Sequence, residues 1–228
     1  MQKKKCFYSE LSYVAGLLVL AFGTALMEKA NFGMSMIVAP AYIIHLKVSQ
    51  YLPFYTFGMS GYVFQALLLC ILALITRKFK NSYLFSFVTA VIYGFILDAV
   101  IGLAEFLPSG GTVLKIAYYI VGLVTCAAGV ALLFHTYLPP EAYDLFVKEI
   151  TEKYKGPLSR IKTVYDVCCC VLSIAMSFAF FGFGVFVGVS WGTVVCTVLN
   201  GWLIGKISGW LENTFDFRDA LPLREKMS

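Results

Sequence analysis

The chain has 228 residues, of which 60% are hydrophobic and 14% charged, with a formal net charge of +5. Ordinary globular domains carry roughly 45–50% apolar and about 25% charged residues, so too little polar surface is present to coat a soluble core of this length. That balance excludes a disordered protein, a secreted disulfide scaffold and, despite a pI near 8.8, a nucleic-acid binder; it points to an integral membrane protein.

A bilayer core about 30 Å thick takes ~20 residues of helix to cross, and six stretches meet that requirement. After Lys3, Lys4 and Lys5, residues 11–30 form the first, ending in Leu26, Met27 and Glu28. They lack a small-x-small cleavage site and are read as a span rather than a signal peptide. Residues 31–52 follow, apolar but broken by Gly33 and Pro40, and too short to cross. The second span, 53–76, carries Gln65 at its middle; the third, 82–106, carries Asp98 in its far half and Glu105 near its end. The fourth is 112–135. Residues 136–161 then predict a cytoplasmic helix over 139–155. Pro139 and Pro140 open it, Glu141 and Asp144 suit its positive end, Lys153 and Lys155 its negative end, and Gly156-Pro157 stops it. Tyr143, Phe146, Val147, Ile150 and Tyr154 share a face, which predicts a helix lying on the membrane surface. Plain packing of that face is the alternative. The fifth span, 162–181, contains Asp166 and the triplet Cys168, Cys169, Cys170; the sixth, 184–211, contains Thr193, Thr197 and Asn200.

Basic residues set the expected orientation. With the N-terminus cytoplasmic, fifteen Lys and Arg fall inside and three, Lys29, Lys47 and Lys115, fall outside. Both termini are therefore expected in the cytoplasm and the chain in the cell membrane as a multi-pass protein.

Residues 13–26 (YVAGLLVLAFGTAL) and 119–132 (YIVGLVTCAAGVAL) agree at seven of fourteen positions, pairing Gly16 with Gly122 and Gly23 with Gly129. Each match precedes a long non-spanning connection and two spans, the last with a threonine and a polar residue: Thr89 and Asp98, then Thr193 and Asn200. Three spans per unit is odd, so two repeats, 1–106 and 107–228, must be inverted relative to each other. The expected fold class is all-α: a polytopic bundle of six transmembrane helices in two inverted three-helix repeats, an arrangement used by secondary transporters with a midplane site.

The order of motifs resembles the YczE/YitT-type bacterial integral membrane proteins, a poorly characterised group. Gly16 and Gly23, then Ala30-Asn31-Phe32-Gly33-Met34-Ser35, are similar to its A-x-x-G-x-S segment. Lys162 to Asp166 resembles its fifth-span entry, and Gly188 through Gly192-Thr193 to Gly201 its glycine-rich last span. The family often has proline after the serine, where this chain has Met36. The resemblance implies fold and membrane location.

Polar groups inside hydrocarbon cost several kcal/mol unless satisfied, so the candidate substrate-binding residues are Gln65, Asp98, Asn200 and Thr193, with Glu28 and Asp166 at the mouths. Headgroup-level contact with water is the alternative for Glu28, Glu105 and Asp166, and helix bridging for Gln65 and Asn200. Asp98, the most deeply placed carboxylate, is the expected site for a cationic solute or a coupling proton. Glycines at 184, 188 and 192 and at 201, 205 and 209 suit close helix packing, with a backbone break at Ser190-Trp191-Gly192 as the other reading. Seven cysteines, six within spans, give no disulfide framework, and His45 and His135 have no metal spacing. No cofactor, metal or catalytic set is expected. The leading expectation is a transporter of a small molecule or ion in a lipid bilayer. The other is a ligand-binding or regulatory subunit, alone as a homo-oligomer or with a partner subunit.

Overall fold

The computed structural model describes residues 5–33, 35–55 and 57–221. Lys3, Lys4, Arg224 and Lys226 of the basic count, and Met34 of the A-x-x-G-x-S segment, lie outside the described residues. Within them the elements run β1 (Lys5–Tyr8), α1 (Ser9–Ala30), α2 (Ala39–Val48), α3 (Phe57–Thr76), α4 (Asn81–Ala104), α5 (Thr112–Phe134), α6 (Ala142–Tyr154), α7 (Leu158–Phe181), α8 (Trp191–Thr214) and β2 (Phe215–Arg218). Six of these helices, all but the short α2 and α6, are long and apolar enough to cross a membrane. The chain is an all-α protein with the composition of a polytopic membrane protein.

The centre of the bundle is the crossing of α1 and α5, and glycine makes it. A Cβ on Gly23 would lie 2.8 Å from the Gly122 carbonyl oxygen, and one on Gly122 would lie 2.8 Å from that of Gly23. A Cβ on Gly16 would come within 3.2 Å of the Gly129 oxygen, and one on Gly129 within 2.6 Å of Leu20 N. Gly16 faces Gly129 while Gly23 faces Gly122, so the two helices run antiparallel. Missing side chains let the backbones touch, which is how helices associate where lipid offers no hydrophobic drive. Around this pair, α4 packs on α1 and α8 on α5.

The two short helices occupy places the sequence placed only approximately. α2 packs against α3 and α7, and α6 against α3, α7 and α4. The first half of α6 is packed among the long helices, while Glu152 to Tyr154 are exposed. Its first turns, Ala142 to Leu145, and the preceding Pro139, Pro140 and Glu141 are buried. Tyr143 and Val147 of the amphipathic face are covered by helices, and Ser86 and Thr89 of α4 donate to the Pro140 and Pro139 carbonyls, holding the entry to α6 inward. The expected stop holds: Lys155 takes φ 50°, and Pro157 caps α7.

α7 begins at Leu158, a turn before the expected entry, which puts Lys162 inside the helix rather than in a basic loop. α8 begins at Trp191, not 184. Gly182, Gly184 and Gly188 have φ of 103°, 85° and 72°, conformations that L-residues avoid and that end helical continuity there. Ser190 then caps α8 in a capping box with Thr193. Gly201 and Gly205 meet Thr163 and Ser159 of α7, the close-packing role.

Patterning gave no sign of the strands. β1 and β2 pair in parallel, Lys5 opposite Phe215 and Tyr8 opposite Arg218. This clasps the two ends of the bundle core at the face that also carries α6.

Candidate functional site

The deepest polar cluster is built on α6, α7 and α8. Lys162 and Asp166 stand one turn apart on α7, so both side chains point the same way. Each has no exposed surface, and Asp144 of α6 is 5% exposed. Lys162 Nζ donates to Asp144 Oδ1 at 3.1 Å and lies 3.2 Å from Asp166 Oδ1, an ion pair without hydrogen-bond alignment. Asn200 of α8 donates from Nδ2 to Asp166 Oδ2 at 3.4 Å. The ammonium also lies 5.6 Å from the centre of the Tyr165 ring. One lysine thus sits between two carboxylates contributed by a short helix and a spanning helix, and an amide from a third helix fixes the second carboxylate.

Burying ions is expensive, and the return comes only when both sides of the pair are present. Ionised in full, Lys162, Asp144 and Asp166 sum to one negative charge. The cluster is therefore suited to a proton or a small cation, and unsuited to a further anion.

Two neighbouring groups extend the cluster. Gln65 of α3 is buried beside Tyr143 of α6, its amide facing the Tyr143 hydroxyl without close hydrogen-bond alignment. Tyr143 packs with Phe64, Leu68 and Ala41, so it joins α6 to α3 and α2. Glu141, the N-cap of α6, is buried with Oε1 unpartnered. Burial pushes its carboxyl well above the ordinary range, with Asp144 adding to the effect.

Of the residues expected from sequence, Gln65, Asp166, Thr193 and Asn200 are buried, and Asp166 and Asn200 touch. Asp98 and Glu28 are exposed on the outside of the bundle, near enough to each other for their charges to interact. They are not brought to Asn200. α4 is the least buried of the six long helices, and Asp98 is on its outer side. Thr193 serves the N-terminus of α8, where its hydroxyl accepts from the Ser190 amide at 3.3 Å. Lys162, Asp144 and Glu141 went unremarked as site residues. A lysine four residues before an aspartate, at the start of an apolar run, was the available signal. It reads equally well as a loop charge.

A cavity of about 340 Å³ opens at the face carrying α6, lined by Ser82, His135, Tyr137, Pro139, Lys148 and Glu149 among others. At its wall Lys80 binds Glu149 at 2.8 Å. A second cavity, of about 440 Å³, is almost wholly apolar and lies between α5 and α8 near Phe32 and Trp191.

A model of a family of unknown function, DUF6198, matches residues 7–209. No curated protein and no solved structure matches the chain.

Proposed function

We propose that this chain, which belongs to the DUF6198 family of unknown function, is a small-molecule secondary transporter of the cell membrane, coupled to a proton or small cation. The observation that carries the reading is the Lys162–Asp144–Asp166 cluster. It is buried, sums to one negative charge when fully ionised and spans the joint between a short helix and two long ones. A structural ion pair needs one carboxylate. The second, placed where three helices meet, suits an ion that enters and leaves.

The transporter reading takes the two halves as inverted repeats, as the match between residues 13–26 and 119–132 suggests. Reciprocal packing supports it. α2 lies on α7 as α6 lies on α3, and α4 lies on α1 as α8 lies on α5. Tyr13 and Tyr119, which open the two matching segments, also make corresponding bonds. The Tyr13 hydroxyl bonds Thr89, which donates to the Pro139 carbonyl before α6. The Tyr119 hydroxyl donates to the Gly192 carbonyl, and the Gly192 amide donates to the Phe32 carbonyl in the connection before α2. An antiparallel crossing with this exchange has its two-fold axis across the helices, which in a bilayer lies in the membrane plane. The same reading puts the basic face, with both termini, in the cytoplasm.

The test is flux. Proteoliposomes containing a trapped pH dye are challenged with a panel of small amines, amino acids and alkali cations. At least one solute should drive proton movement, and Asp166→Asn should abolish it while the protein still folds. If solutes bind the purified protein, seen as raised thermal midpoints, and none moves, the chain is a ligand-binding subunit instead.

A further inference from the structure

Glu141 stands apart from the ion pairs. It is the N-cap of α6, one turn from Asp144, and its side chain is at least nine-tenths buried with Oε1 unpartnered. No Lys or Arg binds it among the described residues. Around the start of α6, Tyr143 of α6 itself lies within electrostatic reach of Glu141, with Gln65 of α3 beside that tyrosine, and the other groups face Glu141 or its neighbour Asp144. From α1, Tyr13 lies within electrostatic reach, and from α4, Tyr93 does so too. Thr89 and Ser86 of α4 are committed to the Pro139 and Pro140 carbonyls. From α5, Cys126 interacts with Asp144, and from α7, Lys162 is paired to Asp144 and Asp166.

A carboxylate here is paired to no Lys or Arg among the described residues, and a second carboxylate is one turn away. An isolated ion in such a place shifts toward its neutral form. The ordinary use of an acidic N-cap, accepting from the free amides of its helix, is also not made: Glu141 has no side-chain cap bond. A buried carboxyl that performs no structural bonding at a helix start is free to gain and lose a proton.

We infer that Glu141 is a proton-binding site of this protein beside the ion cluster, a carboxyl neutral while α6 is buried and ionised only when the start of α6 meets water. The inference rests on the transporter reading for its use, and names the coupling ion of that reading as the proton. Ionisation with α6 buried would set Glu141 against Asp144. Relief requires that α6 withdraws from α3, α4 and α7, which changes the joint where these helices meet. The proton balance is simple: one proton binds at one carboxylate oxygen and leaves from the same atom.

The site is testable without any substrate. Infrared difference spectra of the purified full chain, taken across a pH series, should contain a protonated-carboxyl band that persists at pH 7 and disappears on the alkaline side. Glu141→Gln should remove that band, and Asp144→Asn should leave it in place. The thermal midpoint of wild type should fall as the band disappears, and the midpoint of Glu141→Gln should not. Glu141→Asp, which keeps a carboxyl, guards against a folding defect, and should restore a titrating band. A band and a pH profile identical in wild type and Glu141→Gln would overturn the inference. Should the Glu141 band be present while proteoliposomes carry no proton flux with any solute, the proton site stands and the transporter reading fails.

Discussion

A lysine with no exposed surface survives in a bundle only because its partners are present. Lys162 has two, Asp144 and Asp166, and removing it strands both carboxylates in a medium that cannot solvate them. Lys162→Ala is expected to cost about 3–5 kcal/mol, the scale of a broken buried pair. The double variant Lys162→Met with Asp166→Asn should recover part of the loss. Denaturant unfolding in mixed micelles measures both, and a Lys162→Ala protein as stable as wild type would mean that water reaches the cluster. His135 gives a pH-dependent counterpart. It bonds Ser208 at 2.8 Å and stacks on Phe217 with ring centres 4.7 Å apart. Burial holds its pKa below the ordinary 6.5, against the opposing pull of Glu212. The folded protein therefore takes up this proton less readily than the unfolded chain. Its contribution is complete above pH 6.5 and is lost as pH falls through the lower folded value. The thermal midpoint of wild type should drop between pH 7 and pH 5 more steeply than that of His135→Gln.

At the scale of elements, the α1–α5 crossing and the start of α8 depend on different physics. The crossing needs absent side chains. A Cβ on Gly122 would fall 2.8 Å from a backbone oxygen and 3.0 Å from the Met27 amide nitrogen, and neither group can swing away. Gly122→Ala is expected to destabilise by about 1–3 kcal/mol, the usual scale of overpacking. Gly94→Ala on α4, with nothing within 4 Å of the new methyl, should be neutral or slightly stabilising through helix propensity. Thermal midpoints of the two variants side by side distinguish a packing glycine from a tolerated one. α8 needs its amides satisfied, since the chain has just left the irregular segment 182–190. Ser190→Ala removes half of the capping box and should cost about 0.5–2 kcal/mol. Thr193→Ala should cost a similar amount, and the double variant less than the sum, because both lose the same reciprocal pair.

For the whole molecule, six long helices alternating in direction put β1 and β2, the α3–α4 turn and α6 at one face. The connection carrying α2 and the α4–α5 loop lie at the other. β1 paired to β2 fixes the first part of that statement within the fold. Single cysteines in a cysteine-free background test it in cells. Glu152→Cys and Asp216→Cys should react with an impermeant reagent only after the membrane is opened. Tyr51→Cys and Phe106→Cys, both on exposed positions, should react without opening. Labelling of Glu152→Cys and Phe106→Cys from the same side would sink the six-crossing arrangement.

The number of long helices was legible because the bilayer demands it: backbone polar groups in hydrocarbon must bond within their own helix, and that takes ~20 apolar residues at a stretch. The glycines that set the α1–α5 crossing were legible too, as Gly16, Gly23, Gly122 and Gly129 recur in matching segments. What the sequence could not assign was facing. In water, the buried side of a helix is apolar and the exposed side polar, so periodicity tells them apart. In this bundle both sides are apolar, and Asp98 on α4 and Asp166 on α7 look alike along the chain. Only the packing of neighbours turned Asp98 outward and Asp166 inward. α6 shows the same ambiguity in reverse. Its amphipathic face suits headgroups or helices equally, and the bonds from Ser86 and Thr89 to the Pro140 and Pro139 carbonyls decided for helices. The ion cluster followed from that choice, because Asp144 reaches Lys162 only when α6 lies within the bundle.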